Sequence, residues 1–117
     1  MSRILVVDDD PSIVAVVSQI LRAEGHDVIT AANGAEALAV VDGEELILLD
    51  MRMPVVDGWA FAKQFRASGK QVPIVVMTAA ENARRWAEEI GADGYLAKPF
   101  EIDRLIAAVE QFAKGPR

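Results

Sequence analysis

The chain has 117 residues, 52% of them apolar and 26% charged. That suffices for one hydrophobic core, is too little for two ordinary domains, and excludes a disordered chain. Twelve basic against eighteen acidic side chains leave a net charge of −6, which argues against direct nucleic-acid binding, and the lack of cysteine excludes disulfides, zinc–thiolate sites and thiol catalysis.

The first element is a short apolar run, Ile4–Val7, behind a lone Arg3. It reads as a strand and is neither a signal peptide nor a membrane span, so a soluble, cytoplasmic protein is expected. Asp8, Asp9 and Asp10 follow. Ile13, Val17, Ile20 and Leu21 then recur at helical spacing, with Pro11 in the first turn, Gly25 past the end and Asp10 as the cap. His26, between Gly25 and Asp27, reads as a solvated loop residue. Val28–Ala31 is the second strand. Asn33 with Glu36 three residues on resembles a capping box and opens a helix carrying Ala37, Leu38 and Val41. Leu46–Leu49 is the third strand and ends against Asp50. Phe61, Ala62 and Phe65 mark a third helix that stops at Ser68-Gly69. Ile74–Met77 is the fourth strand, followed by Thr78. Ala83, Trp86, Ala87 and Ile90 mark a helix ending at Gly91, with Arg84, Arg85, Glu88 and Glu89 on a solvated face. Trp59 and Trp86 read as packing or surface aromatics, with a partner surface as the other reading of Trp86. Tyr95–Ala97 is the fifth strand and leads into Lys98-Pro99. Ile102, Leu105, Ile106, Val109 and Phe112 form the clearest helical stripe, before Gly115-Pro116. One domain over 1–117 is expected, in which 113–117 is a tail or a linker toward a further domain.

The order is β then α, five times. The strands are rich in Val, Ile and Leu without alternation, as strands buried on both faces are, and each connection is long enough for a right-handed helical crossover. The expected fold is therefore an α/β domain: a five-stranded parallel sheet with helices on both faces. In such folds functional residues gather beyond the carboxyl ends of the strands. There stand Asp8, Asp9, Asp10, Asp50, Thr78 and Lys98. Clustered carboxylates repel and need a cation or a proton. An all-oxygen set without His or Cys favours Mg²⁺ or Mn²⁺ over zinc. A carboxylate, a hard metal and a lysine are the parts used for phosphoryl transfer.

The segments ILVVDDD (4–10), LILLDMRMPVVDG (46–58), PIVVMTA (73–79) and GADGYLAKPF (91–100) together resemble the receiver domain of bacterial two-component response regulators. The resemblance implies the doubly wound, flavodoxin-like strand order 2-1-3-4-5 of the chemotaxis regulator. It implies that Asp50 is the phosphoacceptor. It implies Mg²⁺ held by Asp8, Asp9, Asp50 and the Arg52 backbone carbonyl, with Asp8 acting mostly through water. Thr78 and Lys98 would bind the phosphoryl group, Tyr95 would be an aromatic switch, and Lys98-Pro99 would be a cis peptide. Gly58 would serve a tight turn, and Arg52 and Ala80 would tune phosphoryl lifetime. The implied donor is a histidine kinase or phosphotransfer protein. The implied output is a protein target, or self-association, through the face formed by the fourth helix, fifth strand and fifth helix, with no nucleic acid or membrane contacted directly. The chain departs from the family in two places: the stretch from Ala37 to Asp50 is about two residues short, and Glu45 stands where Asp is usual.

Three other functions compete. An aspartate-nucleophile phosphohydrolase would want a second Asp two residues after the first, where Arg52 stands. A flavodoxin-like cofactor binder would want a Gly- or Ser/Thr-rich loop after the first strand, where Asp8-Asp9-Asp10-Pro11-Ser12 would repel an anion. A receiver that signals without phosphorylation would not need the complete pocket.

Overall fold

A computed structural model of the chain describes residues 2–53 and 55–112. Ten elements alternate: β1 (Arg3–Val7), α1 (Pro11–Ala23), β2 (Asp27–Ala31), α2 (Gly34–Val40), β3 (Leu46–Asp50), α3 (Gly58–Ala67), β4 (Ile74–Ala79), α4 (Ala80–Ile90), β5 (Gly94–Lys98) and α5 (Ile102–Phe112). The strands form one parallel sheet in the order β2-β1-β3-β4-β5.

Alternation along each strand splits the core in two. Leu5, Val7, Ile47, Leu49, Ile74 and Val76 pack with Ala37 of α2, Phe61 and Phe65 of α3, and Trp86 and Ala87 of α4. Ile4, Val6, Leu46, Leu48, Val75 and Met77 pack with Val17 and Leu21 of α1 and Leu105 and Val109 of α5. Both faces of the sheet are thus covered, which accounts for the unbroken apolar runs. The stacked pair Phe61–Phe65, with ring centroids 5.7 Å apart, anchors α3. Each such ring contributes about 2–3 kcal/mol by leaving water.

Helix boundaries follow local chemistry. Asp10 caps α1 by accepting the Ser12 amide at 2.9 Å, and Pro11 is the first helical residue. Asn33 caps α2 by accepting the Glu36 amide at 2.9 Å, while the Glu36 carboxylate reaches back to the Ala32 amide, one residue before the cap. Asp57 caps α3 by accepting the Ala60 amide at 2.9 Å. Gly91 ends α4 in the left-handed conformation, φ 66°. α2 has only seven residues, in keeping with the short stretch before Asp50.

Four points differ from the sequence reading. Asp50, Thr78 and Lys98 lie inside their strands, because parallel pairing runs on through Asp50–Met77, Thr78–Ala97 and Ala79–Lys98. Gly58 makes no left-handed turn: it begins α3, where an added Cβ would lie 2.6 Å from Met51 Sδ, 2.7 Å from Met51 Cα and 3.0 Å from the Asp50 carbonyl. His26 is held in place, its Nδ1 accepting the Ser2 amide at 3.1 Å. Trp86 is buried at 8% exposure and so belongs to the core and not to a partner surface. The tail 113–117 lies outside the described residues.

Close approach at Gly58 makes a specific demand. Gly58→Ala is expected to destabilise the fold by about 1–3 kcal/mol, because Met51 and the backbone beside Asp50 must shift. Urea denaturation of the two proteins measures this. An unchanged midpoint would mean that the packing around Gly58 yields freely.

Candidate functional site

The carboxyl ends of β1, β3, β4 and β5 meet at one edge of the sheet. Because β1 lies beside β3, and β3 beside β4, residues distant in sequence converge there. Asp8 directly follows β1, Asp50 ends β3, Thr78 is the penultimate residue of β4, and Lys98 ends β5. One carboxylate oxygen each from Asp8, Asp9 and Asp50 lies within 4.8 Å of the others. Asp8, Asp50 and Thr78 are buried, whereas Asp9 is exposed.

Lys98 is the cation of this edge. Its Nζ lies 2.7 Å from Asp8 Oδ2 and 3.6 Å from Asp50 Oδ1. The other Asp8 oxygen accepts the Asp10 amide at 2.9 Å, so both Asp8 oxygens are engaged. The Lys98–Pro99 peptide is cis. Burial works against the Lys98 ammonium, but the hydrogen bond it donates to Asp8 and the charges of Asp50 and Asp8 outweigh it and hold its pKa above the ordinary value.

One ammonium does not balance three carboxylates. Burial, and then the Asp8 charge, push the Asp50 carboxyl from 3.8 up to about 7. Lys98 and the backbone N–H of Arg52 oppose that rise, and Asp9 adds to it. The shortfall in positive charge suits a divalent cation, and three oxygen donors without nitrogen or sulfur suit Mg²⁺. Asp10 faces away from this role: its Oδ1 accepts from the hydroxyl and amide of Ser12, which hold its pKa below the ordinary value.

Arg52, Tyr95 and Ala80 take particular positions. Ala80 is the first residue of α4, which follows β4 without a loop and has no side-chain cap. Tyr95 pairs with Val76 across β4–β5 and is 48% exposed. The Arg52 guanidinium lies over the Trp86 ring, 5.7 Å from its centroid. The mouth of the site is a cavity lined by Asp9, Met51, Arg52, Met53, Asp57 and Trp59. Asp57 and Trp59 as wall residues had no local signal in the sequence beyond the helix cap that Asp57 provides. The Arg84–Glu88 and Arg85–Glu89 pairs on the outer face of α4 lie at 3.4 and 4.0 Å.

The raised Asp50 pKa fixes the sign of a pH effect. Between about pH 4 and 7 the folded protein holds a proton on Asp50 that the unfolded chain releases. The stability contributed by that proton is lost as pH rises through this window. In a chelator, Asp50→Asn is therefore expected to gain on the native protein from pH 4 to 7.5, by on the order of 2 kcal/mol. Urea denaturation across that range tests this, and a difference independent of pH would refute the raised pKa.

Comparison with known proteins gives a consistent result. The family described as the response regulator receiver domain matches residues 4–110. The transcriptional regulatory protein PrrA of Mycobacterium tuberculosis is 42% identical over 112 residues, covering 92% of this chain and 48% of the relative. The alkaline phosphatase synthesis transcriptional regulatory protein PhoP of Bacillus subtilis is 40% identical, covering 92% of this chain and 47% of its own length. This chain thus spans about half the length of these relatives. The chemotaxis protein CheY4 of Vibrio cholerae superposes with a TM-score of 0.87 at 35% identity, over 96% of this chain and 98% of that one. The receiver domain of NtrX from Brucella abortus gives 0.88 at 32%, over 97% and 99%. With a family match over nearly the whole chain and solved receiver domains superposing on its fold, the chain belongs to the response regulator receiver domain family.

Proposed function

We propose that the chain is a Mg²⁺-dependent phosphoacceptor switch. The observation that carries this reading is the convergence of the Asp8, Asp9 and Asp50 oxygens within 4.8 Å, with the Lys98 ammonium 3.6 Å from Asp50. Asp8, Asp9, Asp50 and the Arg52 carbonyl would hold the ion. Bound Mg²⁺ would neutralise the carboxylates and withdraw charge from phosphoryl oxygens.

Asp50 supplies the nucleophile. One carboxylate oxygen attacks the phosphorus of a phosphohistidine on a kinase or phosphotransfer protein, forming an O–P bond as the P–N bond breaks. The leaving imidazole takes the electron pair of that bond and then a proton from solvent. Lys98 stabilises the transferred group as an ammonium held within reach of Asp50. Thr78, buried at the end of β4, offers a hydroxyl toward the same group. Because Asp9 and the cavity beside it are open to solvent, the donor can approach from that side.

The domain acts as a switch and not as a metabolic enzyme. The added charge draws on Thr78 and Lys98 and alters the α4–β5–α5 face, where Tyr95 stands half exposed, for a downstream protein or a second copy. Ala80 and Arg52 set the lifetime of the phosphoryl group. On this reading the chain carries one such domain and works in the cytoplasm. No described helix is long and apolar enough to cross a membrane.

Incubation with Mg²⁺ and acetyl phosphate, read by intact mass, tests this. A phosphoryl adduct is expected in the native protein. It should be lost in Asp50→Asn and in excess chelator, whereas Lys98→Ala should still accept the group while losing the change at the α4–β5–α5 face. Uptake by Asp50→Asn at the native rate would exclude Asp50 as the acceptor.

A further inference from the structure

Arg52 stands two residues after Asp50, and its guanidinium rests on the Trp86 ring of α4 at 5.7 Å from the centroid. Trp86 is in turn met edge-on by Trp59 of α3, with centroids 4.8 Å apart and planes at 69°. Trp59 Nε1 donates to Glu89 Oε1 at 2.8 Å, and the second Glu89 oxygen lies 4.0 Å from Arg85 Nε. One chain of contacts thus runs from Arg52, in the loop that follows Asp50, through two indole rings to the outer face of α4.

The rigidity of this chain is uneven. Trp86 is buried and locked between neighbours, whereas Arg52 is exposed and its guanidinium is held on one side by a ring face. A cation–ring contact at such a site amounts to roughly a two- to fivefold preference. A phosphoryl group two residues away offers the guanidinium charge-assisted hydrogen bonds, which are stronger. Arg52 also lines the cavity that contains Asp9, so its head need not cross protein to turn inward.

We propose that Arg52 is a positioning residue that seats α4: its guanidinium rests on Trp86 while Asp50 is free and leaves the ring when Asp50 is phosphorylated. The inference rests on the phosphoacceptor reading of Asp50. It adds a route from the site to α4 that runs through the β3–α3 loop and is separate from Thr78 on β4.

Trp59 and Trp86 are the two tryptophans of the chain, so Trp59→Phe leaves Trp86 as the single emitter. Emission and intact mass are followed together after adding Mg²⁺ and acetyl phosphate. Emission is expected to change in step with the phosphorylated fraction. With Arg52→Gln added, emission should start near the phosphorylated value and change little more as the mass adduct forms. Arg52→Lys, which keeps a cation able to sit on the ring, should restore part of the response. Hydrogen exchange over Ala80–Ile90 with both tryptophans present should speed up on phosphorylation, and less so in Arg52→Gln. If the adduct forms and Trp86 emission stays constant, or if the full change persists in Arg52→Gln, the link is overturned and the acceptor reading stands. If no adduct forms on Asp50, the acceptor reading fails and the link fails with it.

Discussion

Three carboxylates face one ammonium at the end of a buried sheet, and the rest of the site follows from that imbalance. Lys98 bonds Asp8 at 2.7 Å and stands 3.6 Å from Asp50, so its charge is shared unequally. Asp8 is fully engaged, and Asp50 bears the remaining repulsion as a raised pKa. Such a cluster is costly in a folded protein unless something cationic or electrophilic completes it. The same surplus of negative charge suits a divalent cation beside the three carboxylates.

A cluster of this kind persists only on a frame that does not relax. The frame here is the parallel ladder, which runs through Asp50 on β3 and through Thr78 and Lys98 on β4 and β5. With a packed layer on each face, a slip in register would send every core side chain into the opposite layer and carry Asp50, Thr78 and Lys98 away from their common edge. Gly58 adds a local constraint, since α3 begins so close to Met51 and the Asp50 carbonyl that no side chain fits. Gly34 does the same for α2, where an added Cβ would lie 2.5 Å from the Val56 carbonyl, the oxygen that accepts the Gly34 amide. Two helices are thereby pressed against the segment that follows Asp50.

Against this stiff frame, α4 is attached differently. It leaves β4 without a loop and without a side-chain cap, and its tie to the β3–α3 loop is an aromatic and cationic one. Its outer face carries two surface ion pairs, each contributing little to stability. Its inner face is buried through Ala83, Trp86 and Ala87, so α4 joins an apolar anchor to a charge-sensitive contact beside the acidic edge.

Much of this was legible in the sequence. Alternation of apolar strands with amphipathic helices determined the fold class, because a strand buried on both faces admits few polar residues. Asp10, Asn33 and Gly91 marked helix ends by local hydrogen bonding or backbone conformation, which need no tertiary partner. The resemblance to receiver domains named Asp8, Asp9, Asp50, Thr78 and Lys98 residue by residue, and the fold brings all five to one edge. Other features depended on three-dimensional placement. Gly58 read as a turn and proved to be a point of close approach, since the atoms that crowd it belong to Met51 and Asp50 across the loop. Trp86 admitted a surface role from its helical position, but Trp59 and Arg52 enclose it. The Arg52–Trp86–Trp59–Glu89 chain joins residues up to 37 positions apart with no local pattern. Sequence periodicity and caps are properties of one segment, whereas contacts between α3, α4 and the β3–α3 loop exist only once the sheet has set the distances between them.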